Sequence, residues 1–358
     1  MGFTKITQKE LNSRGATTLP NQPTISATAL KEEFDAPAKQ IIAPKFNKLI
    51  DDLGLETASS NVGGVAPTGQ EGSSMQAIFN SICHYVSDDD IADMFKTAPT
   101  IPPFATGTDA EITEVINAYY DGTLTLSDIR SAWSVGDTRD INITASGGTY
   151  GTEVHRAQTV TIQILDFDHD ALTTPVSGKQ RALLTVDLKN CLRDATVTEG
   201  SGMDNTENGF MNLTSSNTTG WKDSVRRTWV NNGFYNSLPE YIQNLVKAVD
   251  KTTSAGNQST TIVTTSDKVF LLSEVEVAGE QIRSAEGEGT QYALYSVSTS
   301  KRTKKPKWNN FSTGPSSFWW LRSPDVNNST YFCSIDNNDA PDHSIANDDY
   351  GIAPAFCL

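Results

Sequence analysis

The sequence predicts an α+β protein with short mixed or antiparallel strands and long loops, preceded by a helical N-terminal region. Apolar residues recur at helical spacing before residue 135, alternate with polar residues from Gly136 onward, and are separated by long polar stretches. We divide the chain into residues 1–56, a linker over 57–74, a helical layer over 75–135 and a strand-containing domain over 136–358.

Composition argues against several functional classes. The chain has 358 residues with 43 acidic and 28 basic side chains, a net charge of −15, so nucleic acid is not expected as the main partner. The one basic run, at residues 301–307, is interpreted as a solvated loop. The sequence has neither a stretch of about 20 apolar residues nor a signal-peptide pattern. We therefore expect no membrane insertion and no export by the general secretory route.

The first segment, residues 1–56, carries an apolar stripe near helical spacing that Pro37 and Pro44 interrupt. Such a stripe has to be buried, either against the rest of the chain or against other copies of it. Its members are Leu30, Phe34, Ile41, Ile42, Phe46, Leu49, Ile50 and Leu53. Residues 57–74 are rich in Gly and Ser and are predicted to form a flexible linker.

Three patterns predict the helical layer. Apolar residues at i, i+3, i+4, i+7 and i+11 favour a helix that begins at Met75 and continues to Val86. A second helix is predicted from Asp109, taken as its N-cap, to Gly122, and a third follows around Trp133.

Strand patterns begin after Gly136. The segments RDINIT and QTVTIQILDF alternate polar and apolar residues, as a strand with one buried and one solvated face does. Two further helices are predicted in GWKDSVRRTWVNN and LPEYIQNLVKAVDK, the second from Tyr241, Leu245 and Val249 at i, i+4 and i+8. Strands are expected in STTIVTT and KVFLLSEVEV.

Catalytic and metal-binding motifs are weak in this sequence. DFDHD, at residues 166–170, and DNNDAPD, at residues 336–342, lack the Gly and Glu positions of a calcium loop. We interpret the first as a solvated turn and assign no metal ligands, while calcium stays an open alternative at the second. The four histidines are not spaced as a zinc or catalytic pair, and no cofactor motif follows a strand. The four cysteines are interpreted as small buried hydrophobes.

The last forty residues are apolar at both ends and polar between them. FWW at residues 318–320 and IAPAFCL at residues 352–358 are predicted to be buried strands. The segment between them is dominated by Asn, Asp, Ser, Thr, Tyr and His, so it cannot be held by its own burial. We expect it to be a surface excursion held at both ends, although such a composition also suits simple turn chemistry. Most of its polar residues are reached from an AAC asparagine codon by changing adenines.

At this point the chain resembles the target proteins of diversity-generating retroelements, in which error-prone reverse transcription rewrites the end of one gene. The resemblance is carried by WWLRSP at 319–324, FC at 332–333 and GIAPAFCL at 351–358, and it extends upstream to about residue 109. It implies a C-type-lectin-like fold of the formylglycine-generating-enzyme variety for residues 136–358, with a variable region over 319–358. The N-terminal segment resembles those of phage virion proteins.

The resemblance also implies a role for individual residues. It implies variable, ligand-facing positions at Asp325, Asn327, Asn328, Ser329, Tyr331, Ser334, Asp336, Asn337, Asn338, Asp339, Asp342, His343, Asn347, Asp348, Asp349 and Tyr350. It implies scaffold positions at Trp319, Trp320, Arg322, Phe332, Cys333, Ile352 and Phe356. The calcium-and-sugar tripeptides of true C-type lectins are absent, SPD at 323–325 being the nearest, so calcium-dependent sugar binding is not implied.

The function that this implies is a receptor-binding protein of a phage, without enzymatic activity and without a cofactor. Its partners are expected to be a bacterial cell-surface protein or glycan, and other virion proteins through residues 1–56. We expect it in the virion, at a phage tail or fibre tip, as a homotrimer. Two alternatives stay open: an oxidase of the formylglycine-generating kind that uses Cys333 or Cys357, and a bacterial structural protein that does not vary.

Overall fold

Two helices open the part of the chain that our computed structural model describes, which comprises residues 98–147, 153–192, 209–304 and 318–358. Helix α1 is Asp109–Tyr120 and helix α2 is Leu126–Ala132. The segment 1–56, the linker 57–74 and the helix expected from Met75 lie outside the described residues.

The N-cap of α1 corrects the sequence prediction. Thr108, not Asp109, is the cap: its side chain accepts from the backbone N–H of Glu111, whose carboxylate accepts from the backbone N–H of Thr108. Asp109 lies in the first turn, where its carboxylate is 2.5 Å from the guanidinium of Arg139. The helix is therefore closed by a reciprocal capping box and tied to the first strand by an ion pair.

The central sheet has five strands: β1 Thr138–Ile143, β4 Gln158–Phe167, β7 Leu184–Leu188, β10 Val269–Phe270 and β14 Ala355–Cys357. Their order is β1-β4-β7-β14-β10, and every neighbouring pair is antiparallel. The last strand, β14, therefore lies inside this sheet, between β7 and β10.

Three smaller sheets complete the described strands. A four-stranded sheet has the order β6-β5-β8-β9, a three-stranded sheet has the order β11-β12-β13, and β2 pairs with β3. Their bounds are β2 Ser146–Gly147, β3 Glu153–His155, β5 Ala171–Val176, β6 Lys179–Arg181, β8 Val249–Ser254, β9 Ile262–Asp267, β11 Trp319–Pro324, β12 Tyr331–Ile335 and β13 Pro341–Ile345.

The remaining helices are short and connect the sheets. They are α3 Val225–Trp229, a π-helical turn Val230–Phe234, α4 Tyr235–Ser237, α5 Glu240–Leu245, α6 Glu274–Ala278, α7 Ala293–Val297 and a 3₁₀ turn Thr299–Arg302. A helix near GWKDSVRRTWVNN and strands in RDINIT, QTVTIQILDF and STTIVTT were all predicted, and the structure confirms them.

Two predicted elements were wrong. The helix expected through Val249 ends at Leu245, because the backbone of Val246 turns to ψ 127° and Lys247 then donates its N–H to Cys357. The strand expected in KVFLLSEVEV is only Val269–Phe270, because the side chain of Ser273 caps a new helix by accepting from the N–H of Glu276. A β-bridge to a distant strand overrides the apolar periodicity at the first place, and a local helix cap overrides it at the second.

The buried carboxylate of Asp187 contacts two residues that were predicted to face solvent. Gln163, predicted on the solvated face of β4, is buried and donates to the Asp187 carboxylate at 2.9 Å. Lys304, predicted in a solvated basic loop, is also buried, and its ammonium lies 2.8 Å from the same carboxylate. Arg302 is buried as well, whereas Lys305 and Lys307 lie outside the described residues. Gln163 and Lys304 therefore bind the Asp187 carboxylate in the core where contacts with solvent were expected.

The α+β class predicted from the sequence is confirmed, with antiparallel sheets and short helices in one compact unit, Ala98–Leu358. The core is one apolar cluster that takes side chains from α1, α2, the central sheet and both ends of the C-terminal segment. In the described ranges, no helix combines the length and apolar character that crossing a bilayer requires.

Candidate functional site

Both ends of the C-terminal segment are fixed in the core. All six residues of β11 are buried, and so are all eight residues from Gly351 to Leu358. The indole N–H of Trp319 donates to the carbonyl of Arg302 at 3.1 Å, and that of Trp320 donates to Gly209 at 2.5 Å. The prediction of two buried flanking strands is confirmed, so the polar residues between them start and end at rigid points.

Strand β13 forms one edge of the three-stranded sheet. Its five residues are all half-buried, whereas four of the five residues of its neighbour β12 are buried. The register pairs Phe332 with Ser344 and Cys333 with His343. Phe332 and Cys333, which are adjacent and point to opposite faces, are both buried because this part of the sheet is covered on each side. The polar segment is therefore displayed along an edge of the sheet and at its turns.

The turn between β11 and β12 is held by Asn217, a fully buried residue of another loop. Its side-chain amide donates to the carbonyls of Asp325, Asn328 and Tyr331, at 3.2, 2.8 and 2.6 Å. Its backbone N–H donates to Ser329 at 2.8 Å. One buried side chain thus contacts three carbonyls of a turn that lies far along the chain.

Asn217 also connects a third loop to this turn. Its side-chain oxygen accepts from the backbone N–H of Asn257 at 3.0 Å, and the amide of Gln258 donates to Asn327 at 3.0 Å. Asn257 and Gln258 have φ values of 52° and 58°, an unusual backbone for two successive residues with side chains. Gly256 is required here, because a Cβ at this position would lie 2.0 Å from the carbonyl oxygen of Asn217.

The turn between β12 and β13 is a self-capped loop. The carboxylate of Asp336 accepts from the N–H groups of Asn338 and Ala340, both at 2.8 Å. Asp339 has φ 68° and accepts from the hydroxyl of Thr303 at 2.7 Å. This end of the sheet edge is thereby tied to residues before the C-terminal segment.

Tyr350 closes the polar segment. Its ring stacks on Trp320 with centroids 4.8 Å apart and tilts against Phe318 at 5.1 Å. Burial raises the pKa of its phenol. Ser344 donates its hydroxyl to the carboxylate of Asp348 within the same surface. An aromatic stack thus anchors the last turn and leaves the Tyr350 side chain half-buried.

The sixteen predicted ligand-facing positions fall into three groups. Exposed positions are Asn327, Asn337, Asn338 and Asn347. Half-buried positions are Asn328, Ser329, Tyr331, Asp336, Asp339, Asp342, His343, Asp348, Asp349 and Tyr350. Asp325 and Ser334 are 1% and 0% exposed, so the expectation that they face a ligand was wrong. Ser334 lies in the middle of β12 between β11 and β13, and Asp325 is enclosed by the β11–β12 turn.

Asp325 nevertheless contributes to the surface through His343. Its carboxylate contacts Nδ1 of His343 and accepts from the N–H of Asn327 at 2.6 Å. The His343 ring meets Tyr331 edge-to-face, with centroids 4.7 Å apart. An imidazole held through Nδ1 by a buried carboxylate has a fixed orientation, with Nε2 on the opposite side of the ring.

The seven predicted scaffold residues are all buried, and Arg322 is the most informative of them. Its guanidinium forms a two-point ion pair with Glu276, with N–O distances of 2.5 and 2.8 Å. Lys251 lies 2.7 Å from Glu276 and 2.6 Å from Asp170, extending the ion pairs under the sheet. Burial works to raise the pKa of Glu276, but Arg322 and Lys251 outweigh it and leave that pKa lowered.

Asp170 also corrects the interpretation of DFDHD as a solvated turn. It is buried, whereas Asp168 is exposed with φ 53° and Asp166 accepts from the N–H of Ala293. The three carboxylates therefore lie in three different environments. Across the part of the chain that the structure describes, no group of three or more His, Cys, Asp or Glu side chains is placed to hold a metal ion.

The described cysteines are buried and free of disulfides, as the sequence predicted; they are Cys191, Cys333 and Cys357, while Cys83 lies outside the described residues. Burial raises the pKa of the Cys333 thiol well above its usual value, and Glu274 raises it further. Burial does the same at Cys357, whose sulfur lies 3.6 Å from the Asp170 carboxylate. A thiol becomes nucleophilic as a thiolate, so neither environment favours reactivity.

Sequence reasoning missed Asn217, Glu274 and Glu276. Asn217 stands in the polar stretch SSNTTG, which is indistinguishable from an ordinary exposed loop. Glu274 and Glu276 fall in a segment predicted as a strand. The carboxylate of Glu274 accepts from the backbone of residues 282–284, and that of Glu276 pairs with Lys251 and Arg322. One signal was present: acidic residues at the first and third positions after Ser273 fit a helix start better than a strand.

Comparison with known proteins gives one match. Residues 186–358 match a family model described as a domain of unknown function, DUF6273. No curated protein matches the chain, and no solved structure matches it. The matched region runs from β7 to the last residue, so it contains the three-stranded sheet and the loops that hold it, whereas α1, α2, β1 and β4 precede it.

Proposed function

We propose that this protein is a receptor-binding protein of a phage, and that residues 325–350 form a variable surface that contacts a bacterial cell-surface ligand. The fold proposed for residues 136–358 is C-type-lectin-like. The proposal joins the resemblance to diversity-generating retroelement targets with the geometry of the C-terminal segment.

The observation that carries the proposal is the contrast between the polar segment and its two ends. Six consecutive residues before the segment and eight after it are buried, while fourteen of the sixteen candidate positions are exposed or half-buried. Replacement of a surface side chain that lacks buried contacts changes stability by about 0.5 kcal/mol or less. Such a surface can change its side chains while the core stays the same.

The side chains on this surface suit recognition of a partner. Tyr331, Tyr350 and His343 offer half-buried rings with fixed orientations, and the surrounding Asn, Asp and Ser side chains offer hydrogen bonds. Rigid aromatic residues supply contact area at a low cost in conformational entropy, and small polar residues adapt to different partners. This division of roles supports binding of a ligand over a purely structural use of the segment.

The oxidase alternative depends on a reactive cysteine. Cys333 and Cys357 are both fully buried, and burial raises the pKa of each thiol. A nucleophilic or redox-active cysteine generally has a lowered pKa and access to solvent. The environments of these two thiols therefore favour the binding function over this enzymatic one.

Attachment to the virion and trimer formation are part of the proposal and rest on the sequence of residues 1–56. Several copies on one particle raise the effective affinity of weak single sites, by about 10²–10⁴ where geometry permits. Light scattering on the full chain is expected to give the mass of three copies, and a monomeric mass would remove the trimer from the proposal.

The nucleotide neighbourhood of the gene tests the variable character of the surface. We expect a reverse transcriptase gene and a near-duplicate of the segment that encodes residues 319–358, with differences confined to adenines. If the neighbourhood holds neither, the proposal of a diversified surface fails. If the duplicate differs at codons for buried residues such as Trp319 or Phe356, the assignment of the surface fails instead.

A further inference from the structure

Large exposed hydrophobic side chains are few in the described ranges. They are Leu213, Ile282 and Val297, with exposed fractions of 54%, 44% and 72%. Single exposed hydrophobic residues are ordinary on protein surfaces. Two of these three, however, lie on loops that hydrogen-bond directly to the candidate surface, so their positions call for an explanation.

Leu213 lies on a loop that is tied to the end of β13. The backbone N–H groups of Met211 and Asn212 donate to the carbonyl of Ala346 at 2.8 and 2.9 Å. Four residues beyond Leu213, Asn217 holds the β11–β12 turn by three further hydrogen bonds. Leu213 is therefore presented from a loop whose two ends are fixed to the candidate surface.

Ile282 lies on a second loop, which is fixed by the buried carboxylate of Glu274. One oxygen of that carboxylate accepts from the backbone N–H groups of Ile282, Arg283 and Ser284, at 2.9, 2.8 and 2.8 Å. The carbonyl of Arg283 accepts from Val326 at 3.0 Å, and its guanidinium donates to the carbonyl of Pro341 at 3.3 Å. The backbone at Ile282 thus has a fixed position beside the variable turn.

The two loops contact opposite ends of the edge strand β13. The Leu213 loop is bound at Ala346, directly after the last residue of the strand. The Ile282 loop is bound at Pro341, the first residue of the strand, through the guanidinium of Arg283. One exposed aliphatic residue therefore lies on each of the two loops that hold the displayed edge.

The edge between them is acidic. The described surface positions Asp336, Asp342, Asp348 and Asp349 are half-buried carboxylates, and the guanidinium of Arg283 lies 3.8 Å from the carboxylate of Asp342. An excess of carboxylates repels phosphate-bearing or other anionic ligands and attracts basic ones. Leu and Ile side chains gain free energy when covered by apolar groups, at roughly 25 cal/mol per Å² of buried surface.

We infer that Leu213 and Ile282 are fixed contacts of the binding surface, and that the ligand is a protein whose surface presents apolar side chains among Lys and Arg. This inference rests on the proposed function. The two aliphatic residues lie outside residues 319–358, so they contribute the same affinity whatever the variable positions carry. The variable positions then determine which protein is bound.

Displayed random peptides selected on the full-length protein test this inference, with a panel of purified bacterial polysaccharides as the comparison. The peptides are expected to be rich in Lys, Arg and apolar residues. The double variant Leu213→Ser, Ile282→Ser is expected to weaken their binding by about tenfold or more, because binding covers the exposed parts of two aliphatic side chains and serine forfeits that burial. Val297→Ser is the matched control and is expected to leave binding unchanged.

Each other outcome counts against a defined part of the account. If the peptides no longer bind the double variant Asn347→Ala, Asp348→Asn but still bind the double serine variant, the fixed contacts are overturned and the proposed function stays in place. Peptides indifferent to both variants would overturn the proposed surface as well. Failure to select any peptide, selection of acidic peptides, or polysaccharide binding that the double serine variant retains would each overturn the protein ligand. Unchanged thermal unfolding of all variants shows that they are folded.

Discussion

The side-chain amide of Asn217 donates a hydrogen bond to the carbonyl of Tyr331 at 2.6 Å, across 114 residues of sequence. The same amide serves Asp325 and Asn328, so one side chain fixes the turn from which much of the candidate surface extends. Asn217 is a positioning residue: it is buried beneath the surface and determines where the displayed side chains lie.

Asn217→Ala is expected to destabilise the protein by about 1–3 kcal/mol, because the buried carbonyl of Asp325 loses its donor and an unsatisfied buried group costs about that much. Hydrogen exchange should accelerate at residues 325–331 and stay unchanged in β4. Ser216→Ala is the control, since the hydroxyl of that neighbouring residue only reaches Thr218 at an exposed position. Unchanged exchange at residues 325–331 would contradict the role assigned to Asn217.

Arg322→Met is expected to destabilise the protein by about 3–5 kcal/mol, because it leaves the buried carboxylate of Glu276 without its two-point partner. Arg283→Met, which breaks a partly exposed contact of 3.8 Å, should cost about 1 kcal/mol or less. Urea unfolding monitored by tryptophan fluorescence measures both. If the two substitutions lowered the free energy of unfolding equally, burial would not make the Arg322–Glu276 ion pair more important to stability than the exposed one.

Glu288 predicts a pH dependence of stability. Burial raises its pKa from 4.5 to about 7. Below about pH 4.5 the carboxyl is protonated in both the folded and the unfolded chain. Between pH 4.5 and 7 the unfolded chain loses the proton first, so the contribution of Glu288 to stability falls as pH rises, and above 7 the full penalty applies. The total is on the order of 3 kcal/mol, at about 1.4 kcal/mol per pKa unit.

Glu288→Gln isolates this effect. The difference in unfolding free energy between the variant and the wild type should shift in favour of the variant as pH rises from 4.5 to 7, and then level off. Glu286→Gln, at an exposed neighbouring position, should show no such change. A difference that is constant with pH would mean that Glu288 ionises in the folded protein as it does in water.

The described cysteines are expected to resist thiol reagents in the folded protein. Cys191, Cys333 and Cys357 are fully or almost fully buried, and burial raises the pKa of Cys333 and Cys357. In a Cys83→Ser variant, maleimide labelling at neutral pH should be slow until denaturant is added, as mass spectrometry of the peptides will show. Rapid native labelling of Cys333 or Cys357 would revive the oxidase alternative.

The sequence predicted elements that depend on local pattern and missed contacts between distant residues. The bounds of β4 and the burial of both ends of the C-terminal segment follow from apolar alternation and aromatic content, which are legible in a single chain. The burial of Asp325 and Lys304 cannot be predicted from these patterns, because each residue is buried against a partner elsewhere in the chain. The partner is His343 for Asp325 and Asp187 for Lys304. Composition alone marks such residues as surface polar groups.

The most direct test of the central claim measures the tolerance of each C-terminal position to substitution. All sixteen predicted positions, and the seven scaffold positions, are replaced singly by Ser, Tyr, His and Asp in a library that is sorted for resistance to protease. Asn327, Asn337, Asn338 and Asn347 are predicted to accept every substitution, whereas Asp325, Ser334, Trp320 and Phe332 are predicted to accept few or none. Loss of protease resistance at the four exposed asparagines would contradict the account, because the displayed segment would then be part of what holds the protein folded.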